Sequence, residues 1–252
     1  MRRHVGRSLA ILVCIGLVAL AGTSPSLGQD KPRYGGELVF VVAAEPPSFD
    51  AHREETFGML HPGAPHYNTL LRVDPFDRTG TKIIGDLAES WTVSADKRTY
   101  TFKLRQGVKF HDGSVMTSKD VKASYDHIIF PPPGVASSRQ AAYRLVEAVE
   151  APTPDTVVFH LKWYEGSFLA NLASPWNWIY RAEILARDPH WYEKNVNGTG
   201  PFKFVEYVRG SHWVGKKILT TGTRASPTST AFARSSSRTP PPRWRPFAGS
   251  GP

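Results

Sequence analysis

Residues 87–113 read LAESWTVSADKRTYTFKLRQGVKFHDG. Tyr100, Phe102 and Leu104 alternate with Thr101 and Lys103, the period of two expected of a strand with one buried face. Ala88 to Val93 forms a second short run rich in β-formers, and Ser94-Ala95-Asp96-Lys97 between them supplies turn residues. The pair is therefore predicted to be a β-hairpin, with Trp91 and Phe102 as core anchors. Val108-Lys109-Phe110 continues toward a turn at His111-Asp112-Gly113, a composition that favours a reversal over a catalytic or metal-binding pair.

The flanking sequence extends this pattern. Gly36 to Ala44 is a β-rich run stopped by Glu45-Pro46-Pro47 and is predicted to be a buried strand. Tyr67 to Val73 is apolar and is predicted to be helix running into a turn at Asp74-Pro75. Thr117 or Ser118 caps a helix whose first turn holds Asp120, with Val121, Ser124, Tyr125 and Ile128 on one face. That helix ends before Pro131-Pro132-Pro133-Gly134. Val146–Val149 and Asp155–Leu161 flank Ala151-Pro152-Thr153-Pro154 as a second strand-turn-strand, and Ser167–Ala173 is a short helix ending at Pro175. Gly198-Thr199-Gly200-Pro201 is a tight turn feeding the alternating run Phe202–Val208, its two glycines expected to supply unusual backbone angles. Frequent hairpins with few helices indicate an α+β or mixed α/β class.

The chain has 252 residues, 31 basic and 22 acidic, for a net charge of +9. Eight of the basic residues lie before Asp30 or after Lys217, in segments holding no acid, so the middle carries 23 against 22 and is about +1. That near-balance argues against nucleic-acid binding. Arg2, Arg3 and Arg7 precede the apolar Leu9–Ala21, and Ser26-Leu27-Gly28 places small residues where a signal peptidase reads. Residues 1–28 are read as a cleaved secretory signal. The apolar run is too short to cross ~30 Å of hydrocarbon. Cys14 lies inside it, after Val13, which does not fit a lipoprotein site. Cleavage would remove the only cysteine, leaving no internal disulfide.

Four segments in this order resemble the bacterial extracellular solute-binding proteins of family 5, the peptide, nickel and opine binders of ABC importers. They are Tyr34-Gly35-Gly36-Glu37-Leu38 through Asp50, the Leu87–Gly113 run, Thr117 to Val121 with Ser118 where the family usually has alanine, and Asn197-Gly198-Thr199-Gly200-Pro201-Phe202. The resemblance implies that residues 29–217 form the N-terminal lobe of a two-lobed, type II-like periplasmic binding protein, here incomplete. It implies a periplasmic monomer that captures a peptide or another small polar solute in a cleft and delivers it to the ABC permease subunits of the inner membrane. No cofactor and no metal are expected.

The wall of that cleft is assigned by position, at element ends, to Glu45, Tyr67, Asn68, Trp176 and Asn177. A secreted hydrolase is the alternative class, but no G-x-S-x-G, H-E-x-x-H or processed thiol is present. No catalytic residue is named. His61 and His66 could ligate metal, yet the surrounding Pro62, Gly63 and Pro65 favour solvated loop histidines.

From Ile218 the composition changes. Residues 218–252 hold five arginines but no acid and no lysine, with many Pro, Ser and Thr, and are expected to be disordered. A second reading explains the switch. Ile218 to Pro227 can be written ATC CTG ACT ACT GGG ACA AGG GCA AGC CCT. With one A placed in front, the same bases spell Asn-Pro-Asp-Tyr-Trp-Asp-Lys-Gly-Lys-Pro, resembling the segment that often follows this strand in the family. The wobble bases are chosen and the other positions are largely fixed by the residues present. The tail is therefore expected to be an out-of-frame reading after a one-base loss near Lys216 and Lys217. Such a chain would not serve a transporter.

Overall fold

A computed structural model describes residues 36–218 and, as backbone, 231–235. Its strands are β1 (Glu37–Val42), β2 (Leu71–Val73), β3 (Ile83–Gly85), β4 (Ala88–Val93), β5 (Thr99–Leu104), β6 (Val146–Thr153), β7 (Thr156–Leu161), β8 (Phe202–Val208), β9 (His212–Lys217) and β10 (Ala231–Ser235). The helices are α1 (Phe57–Gly63), α2 (Ser118–Ile129), α3 (Phe168–Leu172) and α4 (Ala182–Arg187). The class is mixed α/β, as the sequence indicates.

The hairpin forms as predicted. β4 and β5 pair antiparallel with Trp91 opposite Phe102 and Val93 opposite Tyr100. The Ser94 hydroxyl accepts from the Thr99 amide at 2.9 Å and closes the turn. Lys97 takes φ 57° there. The second hairpin, β6–β7, joins it in the antiparallel order β4-β5-β7-β6. α2 packs against β6 and β7, because its buried face carries Val121, Ser124, Tyr125 and Ile128. Its start is fixed by Asp120, whose Oδ2 accepts from the Thr117 amide at 2.7 Å. Phe102, Phe159, Tyr125 and Phe168 fill the space between. Burying one such ring contributes ~1.5–3 kcal/mol. Trp91, expected in the core, is only partly buried and packs against the core from its edge.

Two other expectations are corrected. Tyr67–Val73 is not helical: a 3₁₀ turn at Ala64–His66 leads through extended backbone into β2, which pairs antiparallel with β3. A short apolar run fits either state, and here the Leu70 carbonyl accepts from the Asp86 and Ala88 amides and draws the segment into strand pairing. β1 is a strand but not a buried one: Leu38, Val39 and Val41 are each more than half exposed, and only Val42 is enclosed. β1 lies at the edge of the sheet ordered β1-β10-β9-β8, and among the described residues no layer covers those side chains.

β10 lies within the stretch expected to be disordered. Its backbone pairs parallel with β1 and antiparallel with β9, so for these five residues the expectation does not hold. The signal segment 1–28 and tail residues 219–230 and 236–252 lie outside the described residues.

Candidate functional site

A cleft of about 310 Å³ opens beside β2 and is lined by Ala64, Tyr67, Asn68, Thr69, Arg72, Val73, Asp86, Ala173, Pro175 and Trp178. Its floor is aromatic. The Tyr67 and Trp178 rings stack 4.4 Å apart and nearly parallel, at 7°. Gly63 permits this, since a Cβ there would meet the Trp178 ring at 2.2 Å.

Its polar centre is Asp86, placed between β3 and the hairpin. The carboxylate is buried and accepts from the Thr69 amide at 3.0 Å and from the Asn68 side-chain amide at 3.1 and 3.2 Å. Burial raises the Asp86 pKa, while these donors and the charges of Arg72 and Arg105 work against the rise. Asn68 also accepts from the Thr199 hydroxyl at 3.0 Å, so the Gly-Thr-Gly turn buttresses the cleft from behind. The exposed Arg72 sits at the rim. An aromatic floor, a hydrogen-bonded acid and a rim guanidinium suit reversible capture of a small polar solute.

Of the five residues assigned from sequence, Tyr67 and Asn68 line this cleft. Glu45, Trp176 and Asn177 do not. Glu45 accepts from the Gly210 amide at 2.8 Å and from the Tyr207 hydroxyl, fastening the β8–β9 turn. Trp176 lies under the Arg139 guanidinium, 4.9 Å from ring to charge. Asn177 is buried and donates to the Tyr143 hydroxyl at 2.7 Å and to the Asn171 carbonyl at 2.8 Å. Thr69, Arg72, Asp86 and Trp178 were not anticipated. The available signal was Asp86 itself, an acid directly before the apolar Leu87-Ala88, where a carboxylate needs arranged partners.

His66 is not a solvated loop histidine. It is fully buried; Nδ1–H donates to the Phe202 carbonyl at 2.7 Å, and Nε2 accepts from the Trp213 indole at 2.8 Å. Burial lowers its pKa to about 3. His61 is exposed. Among the described residues no group of three or more His, Cys, Asp or Glu is placed to hold a metal ion, and no helix is long and apolar enough to cross a membrane.

Residues 82–217, more than half of the chain, match the family described as bacterial extracellular solute-binding proteins, family 5 Middle. The chain is 32% identical to di/tripeptide-binding protein 2 of Pseudomonas aeruginosa over 81% of its own length and 43% of the relative's. Among solved structures it is similar to the periplasmic binding protein AgaA of A. tumefaciens in complex with agropinic acid (31% identity, TM-score 0.70, 79% of this chain and 39% of that one). It is also similar to the periplasmic binding protein DppA of Helicobacter pylori in complex with a peptide (25% identity, TM-score 0.72, 82% and 43%). The chain thus spans well under half the length of these proteins.

Proposed function

Because this chain belongs to the bacterial extracellular solute-binding proteins of family 5, we propose that it derives from the substrate-binding component of an ABC importer. The family match over residues 82–217 carries this reading. Its relatives' names point to peptides and opine-like acids as the ligand class. The cleft at Asp86, Tyr67 and Trp178 is the candidate subsite, its acid suited to an ammonium and its rim Arg72 to a carboxylate. Transfer would require permease subunits in the inner membrane, export through the 1–28 segment and a binding protein acting as a monomer.

We also propose that residues 218–252 are read out of frame. The change of composition at Ile218 and the motif recovered by one added base support this. Resequencing the gene tests the frame: an unbroken frame shared by close relatives with the same tail refutes it. For the function, the frame-restored protein is melted against a panel of di- and tripeptides, opines and chelated nickel. A melting temperature that rises with one ligand's concentration supports the reading, and Asp86→Asn should weaken that shift. No shift with any of them overturns it.

A further inference from the structure

Three backbone segments meet at a pair of buried imidazoles. His52 is fully enclosed, and His127, in the last turn of α2, is 4% exposed. Their Nδ1 atoms lie 3.0 Å apart. His52 Nε2 lies 2.8 Å from the Trp178 carbonyl oxygen, and His127 Nε2 lies 3.2 Å from that of Pro189. A carbonyl can only accept, so each Nε2 carries a proton. The Nδ1–Nδ1 contact needs a proton of its own, because two bare lone pairs would repel at that distance. Three ring protons on two rings is one more than two neutral imidazoles hold. The geometry points to a proton-sharing His52–His127 pair with a single positive charge, a pH-sensitive clasp that holds the Asp50–His52 loop, α2 and the 178–189 stretch together.

The charge is placed unevenly. Burial, then the charge of His127, then Arg139, push the His52 pKa well below its ordinary value. His52 is therefore the neutral partner, its bare Nδ1 accepting from His127 Nδ1–H. The counter-charge is Asp50, whose Oδ1 accepts from the His52 amide and the Tyr180 hydroxyl, both at 2.9 Å. Burial raises the Asp50 pKa and the charge of His127 opposes that rise.

The other groups facing the pair come from every neighbouring segment. Tyr180 stacks on His52 with centroids 4.2 Å apart. Arg139 donates to the Ala51 carbonyl at 2.8 Å and to that of Glu54. Glu193 acts on Asp50 from the following turn and is itself paired with Arg53 at 3.0 Å and His190 at 2.7 Å. Asp50 is thus the buried anion of the set.

The pH dependence follows from His52. As pH falls below ~6.5, the unfolded chain protonates both rings while the folded His52 resists, so stability is lost toward acid.

The test uses the full chain. Imidazole ¹⁵N spectra near neutral pH should show three protonated nitrogens and one bare nitrogen, His52 Nδ1, in this pair; two bare nitrogens overturn the proposal. His52→Asn keeps a donor toward the Trp178 carbonyl and an acceptor toward His127 without the ring whose burial resists protonation. The wild type's advantage in melting temperature over this variant should narrow from about pH 7 to about pH 5, and a constant gap overturns the clasp. If the variant does not fold, the nitrogen spectra decide alone.

Discussion

Asp112 and Asn197, 85 residues apart, hold each other by a reciprocal pair of hydrogen bonds. The Asp112 amide donates to Asn197 Oδ1 at 3.2 Å, and Asn197 Nδ2 donates to Asp112 Oδ2 at 2.9 Å. Arg181 adds a third donor at 2.8 Å. The His-Asp-Gly turn after the hairpin and the Asn-Gly-Thr-Gly turn before β8 are therefore one joint, although each reads from sequence as an independent reversal.

That joint titrates. Partial burial pushes the Asp112 carboxyl up, but Ser114, Asn197 and Arg181 outweigh it and bring its pKa down to about 2. A carboxylate depressed in the folded state contributes stability above its unfolded value, and the contribution is lost as pH falls toward 2. With its side chain about one-third exposed, Asp112→Asn should cost about 1 kcal/mol at neutral pH. Urea melts of both proteins should converge near pH 2–3; a gap that persists there assigns the loss to packing instead.

Across the β4–β5 pair, Phe102 is fully buried and Trp91 is only partly so. Phe102→Ala should cost roughly 3–5 kcal/mol and Trp91→Ala about half as much. Equal losses in chemical denaturation would show that Trp91 is as much a core residue as its partner.

Much of this fold was legible because local chemistry and tertiary packing agree. Tyr100, Phe102 and Leu104 alternate and are buried, and Thr117 with Asp120 marks the helix that follows. Legibility fails where a partner distant in sequence decides. Tyr67–Val73 carries no period that separates helix from strand, and β3 resolves it. β1 has the composition of a buried strand, yet burial depends on a covering layer that its own residues do not specify. In the candidate site, Tyr67 and Asn68 could be picked out as polar-aromatic residues at an element end. Asp86, Arg72 and Trp178 join them only through the turn of the chain between β2 and the 173–178 segment.

His66 offers a pH test outside the His52–His127 pair. It is neutral in the folded state, with its pKa lowered to about 3 by burial, against about 6.5 in an unfolded chain. The unfolded state therefore binds the extra proton between these values, and stability present at pH 7 is lost as pH falls from 6.5 toward 3. His66→Asn retains a donor toward the Phe202 carbonyl without a titrating ring. The wild type's advantage over it should shrink by roughly 3–5 kcal/mol across that range. Trp213 fluorescence, reporting the indole bonded to His66, follows the transition; an advantage independent of pH would mean that His66 does not titrate on unfolding.

Gly198 and Gly200 were expected to be glycines because of their backbone angles, and neither has positive φ. The constraint is approach. A Cβ on Gly198 would lie 2.1 Å from the His66 carbonyl oxygen and 2.5 Å from the Tyr67 ring. One on Gly200 would lie 2.4 Å from the His66 carbonyl carbon and 2.5 Å from the Pro65 oxygen. These neighbours are mostly backbone and cannot swing aside. By contrast, Gly113 has φ 92° and open space around its Cβ position. Gly198→Ala should therefore cost about 1–3 kcal/mol by overpacking and displace the Tyr67 ring from Trp178, whereas Gly113→Ala should destabilise through backbone strain alone and leave that stack in place. Near-ultraviolet circular dichroism separates the two, since only the first disturbs the Tyr67–Trp178 pair. A Gly198→Ala protein with the wild-type aromatic signal and unchanged stability would show that the segment at His66 and Tyr67 leaves room for a Cβ at Gly198.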